Sequence, residues 1–283
     1  MLNGKARKAA VQELREAVER HERERERVGK QSVELFDERK KAATEVIEAV
    51  ETYVNRLANS PKHFKKSVTE FRARVNRFDK TVKKLEVSAA KANRNGGSAC
   101  VGGVMAGTGV AAFGPTAALA VATTFGTAST GTAISTLSGA AATKAALAWL
   151  GGGALTTGGA GMAGGKALLA MAGPVGWTIG GVAITGSALY VRHRNAQLAK
   201  EASEQCVEVV AGEKALVAAN REITGLVNKT KKYSAGCMKG LAFLNQEAPS
   251  DFQDFSAKDK KHLQELINHV KSLGSSISKE VAL

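Results

Sequence analysis

Apolar residues recur at helical spacing along most of the chain, and changes in that recurrence divide it into four parts. Over residues 9–58 they run Val11, Leu14 and Val18, lapse across 19–27, and resume at Val28, Leu35, Phe36, Ala43, Val46, Ile47, Val50, Val54 and Leu57. This predicts one long amphipathic helix, with Gly29 as its break point. The lapse, ERHERERER, reads as a solvated helix laced with Glu–Arg pairs one turn apart. Asn59-Ser60-Pro61 then punctuates the chain, with Ser60 expected as N-cap and Pro61 as the first residue of the next helix. In that helix Phe64, Val68, Phe71, Val75, Phe78, Val82 and Leu85 alternate four and three residues apart. The strict heptad predicts that 61–91 packs as a coiled coil, folded back antiparallel on the segment before it.

The pattern changes completely over residues 95–191. No alternation survives long enough to argue strands, and small residues recur four apart instead. Gly103 with Gly107, Gly161 with Gly165, and Gly176 with Gly180 form rows that let helices approach backbone to backbone, as they do in membranes. Within 167–191 the bulkier apolar residues concentrate: Leu168, Leu169, Met171, Trp177, Ile179, Val182, Ile184 and Tyr190, with Gly173-Pro174 as a kink or bend. Those 25 residues, bounded by Lys166 and by Arg192 and Arg194, would make a helix about 37 Å long, enough to cross a hydrocarbon core of about 30 Å. After 192 ordinary amphipathic spacing returns through Leu198, Cys206, Leu216, Ile223 and Val227, loosened at Gly236 and Gly240. Ser256 should cap a last helix ending at Gly274, with a frayed tail from Ser275.

Composition sharpens the contrast. Of 30 glycines, 23 lie within 95–191, whose only charged residues are Lys144 and Lys166. Gly, Ser and Thr insert weakly compared with Leu, Ile or Phe, which suits a segment that tolerates both water and lipid better than a permanent span. The formal net charge of +14 is also uneven. Residues 1–55 are neutral overall, whereas 56–94 carry 12 basic groups against three acidic, directly before the apolar region. Such a block could attract nucleic acid, but the three phenylalanines within it fall on the core period. Anionic lipid is the expected partner, at about 1 kcal/mol per basic residue near the surface, through Lys65, Lys66, Arg72, Arg74, Lys83, Lys84, Arg192 and Arg194.

Tests for chemistry return little. Three cysteines and five histidines fall in no disulfide or metal spacing. AGMAGGK at 160–166 departs from a phosphate-binding loop at its first glycine and at the hydroxyl that should follow Lys166. No catalytic residues, metal ligands or cofactor are expected, and the chain reads as non-enzymatic. The N-terminus has no apolar core of a secretion signal, so the expected location is cytoplasmic and membrane-associated.

The order of parts resembles helical pore-forming proteins of the cytolysin-A and haemolysin-BL types, and the apolar part is similar in composition to the membrane regions of apolipoprotein-L-like proteins and colicins. The resemblance implies an apolar hairpin stored in a soluble bundle and released into a bilayer, where the chain forms homo-oligomers. The fold expected is therefore all-α: a long antiparallel bundle or coiled coil (1–94 and 192–283) carrying a Gly/Ala-rich helical insert (95–191). The function expected is switchable membrane insertion, by a pore-forming or membrane-perturbing effector. The alternative is a coiled-coil scaffold or membrane-anchored interaction protein.

Overall fold

The computed structural model describes residues 4–94, 120, 123–125 and 188–281. Helix α1 (Gly4–Lys41) runs through one π-helical turn (Ala42–Val46) into α2 (Ile47–Arg56), making a continuous rod. Helix α3 (Lys62–Arg94) turns back, α4 (Ala188–Glu247) is 60 residues long, and a 3-10 turn leads to α5 (Ala257–Ser278). At 1.5 Å per residue α4 alone is roughly 90 Å long.

Helices adjacent in sequence are antiparallel. Tyr53 meets Phe64, and Phe36 meets Phe78, across the α1/α2–α3 hairpin, as the heptad predicts. Phe243 stacks on His262 and Tyr233 meets His269 across the α4–α5 hairpin. The two longest rods run the same way. Arg7 bonds Asn195, Arg20 bonds Glu213, Gln31 accepts from Thr224, and Lys231 reaches Glu34, so the residue numbers rise together. The upper parts of α1 and α4 thus form a parallel two-stranded coiled coil, packed through Leu14, Ala17, Val18, Ala202, Cys206 and Val209. Below it all four rods share one core, in which Ile47, Val50, Phe64, Phe71, Val75, Leu244, Leu263, Leu266 and Leu273 are buried.

Helix α1 is not broken at Gly29, which is buried inside it. The irregularity comes at the π-turn, where the Ile47 N–H bonds to the Ala42 carbonyl. The extra residue leaves Ala42 with Ala43, and Val46 with Ile47, all buried. That widens the apolar face where one partner helix gives way to three. The charged lapse is not solvated along its seam either. Counting sevens from Leu14 and Val18 gives 14, 21, 28, 35, 42 and 18, 25, 32, 39, 46, and His21, Arg25, Ser32 and Arg39 are all buried at those positions. The seam never stops; its side chains become polar.

Other helix ends also differ from expectation. The Ser60 hydroxyl is buried and has no hydrogen-bond partner among the described residues, so it is not the cap. Instead the Pro61 carbonyl accepts the first N–H groups of α3, from Phe64 and Lys65. Asn59 takes the left-handed conformation (φ 53°), and its amide donates to Asp251 at 2.7 Å. With Ala58 N–H bonded to Ser250 and Phe252 N–H to Ala58, the two turns at the bundle's base are tied together. Ser256 does cap α5, in a reciprocal capping box with Asp259. Helix α5 continues through Gly274, because Phe71 and Arg74 press against that glycine and need its missing side chain. The helix α4 likewise runs unbroken past Gly236 and Gly240, which admit His269 and Leu266 of α5. The tail is not frayed through Val281: Ser276, Ile277 and Val281 are buried.

Candidate functional site

Helix α3 carries the basic block, and its heptad sorts those charges. With Phe64, Val68, Phe71, Val75, Phe78 and Val82 inward, Lys62, Lys65, Lys66, Arg77, Lys80 and Lys83 are exposed. Each of these six has no ion pair among the described residues, while Glu70 and Asp79 are the acidic groups beside them. Of the predicted lipid-facing residues, Lys65, Lys66 and Lys83 stand on this surface. Arg72 is half-buried and bonds Glu51 of α2 through both Nε, at 2.6 Å, and Nη2. Arg74 reaches Ser278 Oγ at 2.9 Å and the Gly274 carbonyl at 3.4 Å, joining α3 to α5. Sequence pattern cannot separate these two from their solvated neighbours, because the distinction lies in what the facing helix offers. Lys84, Arg192 and Arg194 lie within α3 and α4, but their side chains are outside the description.

Tyr190 falls in the first turn of α4. The other predicted insertion residues, Leu168, Leu169, Met171, Gly173, Pro174, Trp177, Ile179, Val182 and Ile184, lie outside the described residues. So do the packing glycines Gly103, Gly107, Gly161, Gly165, Gly176 and Gly180. Among the described residues no helix is long and apolar enough to cross a membrane, and no His/Cys/Asp/Glu group could hold a metal ion.

Two polar sites inside the bundle carry no expectation from the sequence pattern. In the parallel coiled coil, His21 packs against α4 where a Cβ at Gly212 would come within 3.2 Å of its ring. Burial, helped by neighbouring Arg25, pushes the imidazole down to about 4, against the opposing pull of Glu213. Glu213 itself pairs with Arg20 at 3.3 Å. Glu201, Glu204 and Glu208 are exposed on α4, whereas Glu213 is partly buried. Lower down, Arg39 is 1% exposed and donates to the carbonyls of Thr123 (3.2 Å), Ser276 (3.0 Å) and Lys279. Burial pushes its guanidinium down to about 10, with Glu280 opposing. Cys206 and Cys237 are buried free thiols, the latter pushed up to about 12 by burial. Heptad counting from Leu14 and from Val18 is the signal that finds His21, and Arg25 with Arg39, respectively.

The chain matches no protein-family model, no curated protein and no solved structure.

Proposed function

We propose that this protein is a non-enzymatic, switchable membrane-inserting effector, held as a helical bundle in water and perturbing anionic bilayers when its apolar segment enters them. The observation that carries the reading is the sequence between the bundle's two halves: 97 residues with two charges, reached through a segment of net charge +9. Six exposed cations on α3, without an ion pair among the described residues, add support, because an anionic surface is the partner that such a row attracts. Helix direction adds more. Helix α3 leads away from the tied base of the bundle and α4 returns toward it, so α3 delivers the chain to the apolar segment at the end away from the base. Weakly apolar, glycine-rich helices gain little individually from lipid and pack through small residues, so insertion is proposed to go with homo-oligomers. A cytoplasmic location beside a membrane belongs to the same reading.

Dye-loaded vesicles test it. The full chain should release dye from phosphatidylserine-containing vesicles and not from purely zwitterionic ones. Deleting 167–191 should abolish release, and changing Lys62, Lys65, Lys66, Lys80 and Lys83 to Glu should abolish binding while leaving helix content unchanged. Binding without release would favour a membrane-anchored scaffold. No binding to any vesicle would exclude both membrane readings.

A further inference from the structure

Arg39 occupies a heptad position in the middle of a rod, 1% exposed, with no carboxylate in salt-bridge contact among the described residues. A buried cation is tolerated only when its donors are met. Here Nη1 and Nη2 are met by backbone carbonyls from two places that are distant in sequence, while Nε has no hydrogen-bond partner among the described residues. Ser276 and Lys279 belong to the end of α5, where helical carbonyls lack partners of their own and carry the negative end of the helix dipole. Thr123 belongs to the apolar segment.

The same two places also bind each other directly. The Val281 N–H donates to the Thr124 carbonyl at 2.9 Å, and Phe125 lies beside Val281 in a short parallel bridge. Phe125 is 1% exposed, and Ala120 and Thr124 are fully buried. Lys279 is itself held on α4 by Glu222 at 3.0 Å. Residues 123–125 are thus fixed by a guanidinium bond, a backbone bond and a buried aromatic ring. They sit within the apolar stretch, so none of that stretch containing them can enter a bilayer until all three contacts break.

We propose that Arg39 and residues 279–281 form a latch that holds the apolar segment on the bundle at residues 123–125, and that opening this latch gates membrane insertion. The gating half rests on the membrane reading above; the latch itself does not. Val281→Pro removes the N–H that the Thr124 carbonyl accepts, at a position beyond the last helical residue, Ser278. Arg39→Met removes the guanidinium and keeps an apolar stem.

Hydrogen exchange on the full chain reads the latch, with a peptide spanning 263–273 reporting whether α5 is intact. Release of dye from phosphatidylserine vesicles reads the gate. Both variants should speed exchange in a peptide spanning 120–126 at least tenfold with 263–273 unchanged, and Val281→Pro should speed dye release at least threefold. Unchanged exchange at 120–126 in both variants overturns the latch. Faster exchange with dye release at the wild-type rate overturns the gate. Should wild type and variants alike fail to bind vesicles, the gate falls together with the membrane reading, and accelerated exchange at 120–126 distinguishes that result from failure of the latch.

Discussion

His21 shows how one side chain sets the conditions under which the coiled coil holds. Its folded imidazole titrates at about 4, below its ordinary 6.5, because burial and Arg25 disfavour the cation more than Glu213 favours it. Above pH 6.5 the ring is neutral whether the chain is folded or unfolded. As pH falls toward 4 the unfolded chain binds the proton first, so stability is lost across that window. The loss at pH 4.5 is roughly 2–3 kcal/mol relative to pH 7. Urea unfolding at both pH values should show that loss in wild type, and His21→Leu should remove about that much of the pH dependence. The glycines beside such side chains act by space rather than by flexibility. A methyl at Gly29 meets nothing within 4 Å, so Gly29→Ala should stabilise the chain by about 1 kcal/mol. A methyl at Gly236 would come 2.7 Å from the His269 ring, so Gly236→Ala should give no such gain in the same urea titration.

At the scale of elements, legibility depended on whether the seam was apolar. The inward face of helix α3 could be read, because each of its heptad positions from Phe64 through Val82 is Phe or Val, and its antiparallel return on α2 followed from that, although its packing on α5 did not. The seam of α1 could not, because His21, Arg25, Ser32 and Arg39 are polar by type, although buried. An arginine has a long apolar stem, so a seam position can accept it if the head finds partners. Gly236, Gly240 and Gly274 read as looseness or stops for a similar reason: only the facing helix reveals that a glycine is a notch. The basic surface was legible as a composition, but Arg72 and Arg74 could be told from their neighbours only by Glu51 and Ser278 opposite them. The ends of elements carry predictions of their own. Ser256→Ala breaks the reciprocal cap of α5 and should cost about 1 kcal/mol. Phe71→Ala empties the contact with Gly274 in the core and should cost about 3–5 kcal/mol. Both are measured by chemical unfolding.

For the whole molecule, two features set the behaviour: a parallel rod of α1 and α4, and a four-rod core closed at its base by the 58–60 and 250–252 turns. The rod is polar at intervals along its seam, while the core, built mainly of apolar side chains, holds Arg39 among backbone carbonyls. Acid therefore acts on the rod through His21, whereas the hold on residues 123–125 depends on Arg39, which stays charged in acid. The two groups therefore act at different places in the bundle. The sequence also supplies a reporter of the apolar segment, because both tryptophans of the chain, Trp149 and Trp177, lie within 95–191. The direct measurement is tryptophan emission from the full chain bound to phosphatidylserine vesicles whose acyl chains carry bromine, compared with unlabelled vesicles. Insertion of the apolar segment predicts that the brominated chains quench most of the emission. Equal emission from the two kinds of vesicle, with the protein bound to both, would contradict it.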